Sequence, residues 1–258
     1  MRIIPPENSV ILITGANNGI GLSLTKALVN MPYRIACLDL SCENLKPLRE
    51  THADSLHFYH CDLTHDCDVR EAVGRIISSW SRIDVLVNNA CIAGYQLFEE
   101  CSFESIRQQF EVNFFGYLRT IQAIIPIMKA QGGGIIHNVS SGVGLTGFPG
   151  ASGYAASKGA IESLSRTLRL EMVRYNIWVT IVHPPLTYTR SSALLGIPAS
   201  SMADPLVVGR KLAAHIFSTK AVIILDYQTA LGLLFSRLFP AMMGRVLSLL
   251  TQRMGKSI

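Results

Sequence analysis

The chain has 258 residues and a net charge of +5, with 49% hydrophobic residues against only 16% charged. That length fits one α/β domain and does not require two, and the apolar excess suits a sheet buried on both faces or a greasy interface. The basic residues are dispersed and form no long run, which argues against a nucleic-acid partner. Six cysteines, at 37, 42, 61, 67, 91 and 101, make no C-x-x-C pair, so reduced thiols and a cytoplasmic location are expected. Met1 to Glu7 lacks the apolar stretch of a signal peptide, and no uncharged apolar run reaches the ~18 residues of a spanning helix.

In chain order, short apolar runs alternate with longer amphipathic ones. The strands are expected at Val10–Thr14, Arg34–Asp39, Leu56–Cys61, Ile83–Asn88, Gly134–Ser140, Trp178–His183 and Ala221–Leu225. Helices are expected over 19–30, 43–51, 66–81, 102–130, 153–175 and 204–218. The pattern predicts an α/β fold: a doubly wound parallel sheet of about seven strands with right-handed connections. The rhythm stops after residue 226, dividing the chain into 1–226 and an apolar, basic helical tail over 227–258.

The first strand runs into Thr14-Gly15-Ala16-Asn17-Asn18-Gly19-Ile20-Gly21. Glycines at the end of a strand let the backbone turn closely, and the helix that follows offers its N–H groups and dipole to a pyrophosphate. The second strand ends at Asp39, at the distance from the glycine loop where a carboxylate accepts hydrogen bonds from a ribose. A carboxylate there repels a 2′-phosphate, and neither Asn18 nor Leu40 supplies a cation for one, so NAD is favoured over NADP. Asp62, with Leu63, ends the third strand beside the expected adenine position, and Asn88-Asn89-Ala90 ends the fourth.

Tyr154 and Lys158 are four residues apart at the start of a helix and share one of its faces. A free tyrosine is a poor base at neutral pH, and a nearby ammonium would lower its pKa. Tyr154 could then exchange a proton with an alcohol or carbonyl oxygen as hydride moves to or from nicotinamide. Ser141, at the end of the fifth strand, could hold the same oxygen, and Lys158 could also bind the nicotinamide ribose. Asn113, polar among apolar neighbours, is expected to anchor a water that relays protons to Lys158.

On Thr14-Gly15-x-x-x-Gly19-Ile20-Gly21, Asn88-Asn89-Ala90, Asn113, Ser141 and Tyr154-x-x-x-Lys158, the chain resembles the short-chain dehydrogenase/reductase family over about residues 8–226. The resemblance implies a single Rossmann-like domain, NAD(P)-linked alcohol or ketone chemistry and a homodimer or homotetramer. It matches Ser141, Tyr154, Lys158 and Asn113 to the family's tetrad, and Thr189 to a threonine that contacts the carboxamide. Two positions depart from the family: Cys91 and Pro185 stand where it usually has glycine. Pro185 fixes φ and removes an N–H beside the expected nicotinamide. The residues expected to hold the cofactor are thus Gly15, Asn17, Asn18, Gly19, Ile20, Gly21, Asp39, Asp62, Leu63, Asn89, Ala90, Tyr154, Lys158, Pro184 and Thr189. A reading from another class, a non-catalytic protein of the same fold that senses NAD, is disfavoured because Tyr154 and Lys158 are both kept.

No metal is expected. His57, His60, Cys61, His65 and Cys67 have no zinc spacing, and strand alternation sends His60 and Cys61 to opposite faces. The segments 142–153 and 186–205 should flank the substrate; they offer Val143, Leu145, Phe148, Tyr188, Leu194, Leu195 and Ile197. Arg190 is their one basic residue, which favours a hydrophobic alcohol or ketone, lipid-, steroid- or retinoid-like. The tail carries Arg237, Arg245, Arg253 and Lys256 and no acid. It resembles the tails of family members that work on lipophilic substrates at membranes. Helices broken at Pro240 and Gly244 and lying on an anionic bilayer are one reading, and a lid or subunit interface is the other.

Overall fold

A computed structural model describes residues 7–195 and 197–253. Met1 to Pro6, Gly196 and the end of the tail with Lys256 lie outside the described residues. The first strand, β1 (Val10–Thr14), is buried at all five positions. Its side chains alternate between two cores: Val10 and Leu12 enter one, Ile11 and Ile13 the other. β2 (Arg34–Asp39) does the same, with Ala36 and Leu38 on the first side and Ile35 and Cys37 on the second. Such strands cannot face water, so each side of the sheet must be covered by helices.

The remaining strands are β3 (Leu56–His60), β4 (Val85–Asn88), β5 (Gly134–Val139), β6 (Ile177–His183) and β7 (Val222–Ile224). All pair in parallel, in the order β3-β2-β1-β4-β5-β6-β7. The chain winds outward from β1 to β3, then crosses back to β4 on the other side of β1. A crevice therefore opens between the carboxyl ends of β1 and β4, where ligands bind in open α/β sheets.

The helices are α1 (Gly19–Leu28), α2 (Lys46–Thr51), α3 (Asp66–Trp80), α4 (Phe103–Phe110), α5 (Gly116–Ala130), α6 (Val143–Thr146), α7 (Ser152–Met172), α8 (Pro205–Ala213), α9 (Tyr227–Leu238) and α10 (Pro240–Arg253). On α3 the buried residues Val69, Ala72, Val73, Ile76 and Trp80 repeat at helical spacing, and Asp66 and Asp68 in its first turn suit the positive end of its dipole. With α5 and α7, α3 closes the first core; α1 and α8 close the second.

Several boundaries differ from the sequence expectation. β3 stops at His60, and β4 begins at Val85 rather than Ile83. The helix expected over 102–130 is interrupted by a single π-turn, Glu111–Phe115, whose closing bond runs from the Gly116 N–H to the Glu111 carbonyl. An extra residue in one turn leaves the apolar periodicity almost unchanged, so the sequence hides it. Pro240 occupies the first position of α10, where its missing N–H costs nothing. Gly244 lies inside α10 and does not break it, which corrects the expectation of a second interruption.

Candidate active site

The glycine loop is built to let backbones touch. Gly15 and Gly19 have φ of +64° and +51°, a region that L side chains rarely adopt. A Cβ on Gly21 would lie 2.1 Å from the Gly15 carbonyl oxygen, and one on Gly15 would lie 2.7 Å from the Ala90 Cα. The ends of β1 and β4 are clamped together by side chains. Thr14 Oγ1 accepts from the N–H groups of Asn89 (3.0 Å) and Ala90 (3.1 Å), while Asn89 Nδ2 donates to the carbonyls of Thr14 and Gly15. Asn18, the cap of α1, makes no side-chain cap hydrogen bond, and the first turn of α1 holds no acid. The N-terminal N–H groups of α1 thus have no competing anion, which fits a pyrophosphate.

The expected cofactor residues divide into two kinds. Asn17 is buried and its polar groups serve the loop: its N–H donates to Asp39 Oδ2 at 2.9 Å, and its Oδ1 accepts from the Asn44 N–H at 2.9 Å. Asn44 Nδ2 also donates to the Asn17 carbonyl and to Asn18 Oδ1. Asn44 is a structural partner the sequence reading missed. Leu63 is buried in the first core, its carbonyl held by Arg119, and Asp62 Oδ1 accepts from the Thr64 N–H and hydroxyl. Gly15, Gly19, Ile20, Asp39, Ala90 and Pro184 are partly exposed at the crevice, and Asn18 is exposed. Thr189 meets the glycine loop from above, since a Cβ on Gly19 would lie 3.0 Å from its methyl group, and its hydroxyl and N–H bond Ser192. Pro185 begins a segment pinned by Tyr188 and Ala203, where the Tyr188 N–H donates to the Ala203 carbonyl at 2.9 Å. The Pro185 carbonyl accepts from the Thr187 hydroxyl at 2.7 Å, so the altered position is locally satisfied.

β5 and α7 bring Ser141, Tyr154 and Lys158 together. Ser141 follows β5 and its hydroxyl stands near enough to the Tyr154 phenol to act on its pKa. Ser140, by contrast, is buried with its Oγ unpartnered. Lys158 is fully buried; its Nζ donates to the Val139 carbonyl at 2.8 Å and to the Tyr117 hydroxyl at 3.3 Å, and lies 5.8 Å from the centre of the Tyr154 ring. The sequence reading missed Tyr117, although it sits one turn after Asn113. Asn113 lies in the π-turn, fully buried. Its Oδ1 accepts from the Ile92 N–H at 2.9 Å, and its Nδ2 donates to the Ile92 carbonyl and to Ser157 Oγ. These bonds tie the segment after β4 to α7, the helix that carries Tyr154.

The electrostatics depart from the expectation in one respect. Burial pushes the Tyr154 phenol well above its ordinary pKa, with Cys91 and Tyr95 nearby adding to the effect and the Ser141 hydroxyl opposing it. Burial also lowers the Lys158 pKa, against which Cys91 and Glu162 favour its charge. The ammonium is turned toward the Val139 carbonyl and the Tyr117 hydroxyl.

Residues 9–196 match the sequence profile described as short chain dehydrogenase. The chain belongs to the short-chain dehydrogenase family. It is 34% identical to the oxidoreductase YusZ of Bacillus subtilis over 206 residues, covering 76% of this chain and 73% of that one. It is 32% identical to a cyclopentanol dehydrogenase of Comamonas testosteroni over 211 residues, covering 79% and 84%. Among solved structures, it superposes on a 3-ketoacyl-(acyl-carrier-protein) reductase of Brucella melitensis complexed with NADH with a TM-score of 0.77, at 25% identity, covering 85% of this chain and 97% of that one. As a short-chain dehydrogenase the protein is an oxidoreductase with a Rossmann-like sheet.

Proposed function

We propose that this short-chain dehydrogenase moves hydride between NAD and a hydrophobic secondary alcohol or ketone, with Tyr154 as its acid/base. The observation that carries the reading is that Ser141, Tyr154 and the buried Lys158 come together where β5 ends, on the same carboxyl edge of the parallel sheet as the glycine loop that follows β1. The nicotinamide, when bound, supplies the hydride acceptor or donor. The chain supplies the proton: Tyr154 gives one to a carbonyl oxygen or takes one from an alcohol, and Ser141 orients that oxygen. Lys158, fixed by Val139 and Tyr117, presents a positive field to the same site and stabilises charge developing on the phenol. Asn113 holds α7 in register with the segment after β4. Asp39, beside the loop, supports NAD over NADP because its carboxylate would repel a 2′-phosphate.

The test is Tyr154→Phe, followed by NADH absorbance over a panel of hydrophobic carbonyls and alcohols. Loss of the acid/base should lower the rate by about 100-fold or more while NADH still binds. Undiminished turnover would overturn the mechanism. Cofactor choice is tested separately by Asp39→Ser, which should erode the preference for NAD; a wild-type protein that binds NADP as well as NAD would refute the Asp39 argument.

A further inference from the structure

The tail exposes apolar side chains in two ordered rows. On α9, Tyr227, Leu231, Leu234 and Leu238 are exposed at i, i+4, i+7 and i+11, which is a single helical face; Tyr227 is 74% and Leu238 62% accessible. On α10, Met242, Val246 and Leu249 repeat the pattern at i, i+4 and i+7. The opposite side of α9 is the one that packs: Ser236 is buried and Leu233 lies against Gly142. A helix that turns leucines outward at regular spacing while burying a serine has its apolar moment aimed away from its own protein. Such a patch marks a surface that another phase or molecule covers.

The charge around the rows identifies the cover. From Tyr227 to Arg253 there is no acidic residue, and Arg237 and Arg245 are both exposed beside the apolar rows. Apolar rows flanked only by cations complement a surface that is apolar beneath and negative above, as an anionic bilayer is. A second copy of the chain would instead bring its own arginines against these. Neither helix crosses the bilayer alone. α9 has 12 residues, about 18 Å of rise against a hydrocarbon core of about 30 Å, and the two helices meet at a bend of 118°. The geometry points to α9 and α10 as an in-plane anchor that seats the protein on an anionic lipid surface. α9 and α10 both pack against α6, the helix that begins two residues after Ser141, α9 through the side opposite its exposed row, so anchoring them would tether the catalytic end of the sheet near the lipid surface. The anchoring stands apart from the enzymatic reading, because it is measured as partition and not as turnover.

The experiment uses the full chain with vesicles of phosphatidylcholine, with and without phosphatidylserine, followed by co-sedimentation and light scattering of the unbound protein. The wild type should sediment with the anionic vesicles, and added salt should weaken the binding. Leu234→Asp should reduce partition by about tenfold or more, and Arg237→Glu by about fivefold or more. Both positions are exposed, so circular dichroism should report an intact fold. Absence of sedimentation, or equal sedimentation of wild type and both variants, overturns the proposal. So does a dimer in solution that Leu234→Asp converts to monomer without any vesicle binding, since the rows would then be a subunit interface.

Discussion

His137, in the middle of β5, is buried with both ring nitrogens engaged. Nε2 donates to the Ile216 carbonyl at 2.8 Å, and Nδ1 accepts from the Thr180 hydroxyl at 2.6 Å. Burial lowers its pKa from the ordinary 6.5 to about 4. The neutral ring is therefore the folded form, while the unfolded chain takes a proton near 6.5. Stability is fully present above that pH and is lost as pH falls toward the folded value. The gap corresponds to about 3 kcal/mol in full and about 2 kcal/mol between pH 7 and pH 5. His183, whose pKa burial also lowers, acts in the same direction, so a variant is needed to isolate His137. His137→Gln should be less stable at both pH values, but its loss between pH 7 and pH 5 should be smaller than the wild type's by about 2 kcal/mol, read from urea unfolding. Equal losses in the two proteins would show that His137 takes up no fewer protons when folded, and would refute the reasoning. β5 leads directly into Ser141, so the same acid range should loosen the catalytic end of the sheet.

Gly21→Ala puts a Cβ against the Gly15 carbonyl of the loop and against Asn89 Nδ2, which clamps the loop from the end of β4, so the loop must move to admit it. NADH affinity measured by fluorescence titration should fall by about tenfold or more; unchanged affinity would mean that the loop is no cradle. Thr14→Val keeps the shape of the side chain but removes the acceptor shared by the N–H groups of Asn89 and Ala90. Each buried donor left unpaired costs about 1–3 kcal/mol, so thermal unfolding should shift downward clearly, and an unshifted transition would show that these bonds contribute nothing.

The inner strands of the sheet were legible because they are buried on both faces and therefore read as unbroken apolar runs, as in Val10–Ile13 or Ile35–Leu38. Edges were less so. Before β4, the Ile83 N–H and carbonyl are both taken by the Gln131 side chain, and the Asp84 carboxylate accepts the Val10 N–H. α6 escaped notice because Gly142-Val143-Gly144 lowers helix propensity, and Gly144 is needed there: a Cβ on it would lie 2.9 Å from the Lys158 backbone. At the site, spacing located Tyr154, Lys158 and Ser141 but could not tell where the ammonium turns. That depended on Tyr117 and the Val139 carbonyl, which only the packing of α5 against β5 reveals. The sequence likewise could not show that burial raises the pKa of the phenol. The tail's composition was plain, but which side of α9 faces outward was not.

Asp39 does two jobs with one carboxylate. Its Oδ2 holds the Asn17 N–H and so helps set the shape of the glycine loop, while on the proposed reading its charge also selects the dinucleotide. A mutation that opens the protein to a phosphorylated ribose by removing that charge also unties the loop. On that reading cofactor choice and loop shape are coupled, and a charge-removing switch at Asp39 would need a compensating change near Asn17 or Asn44 to keep the loop tied.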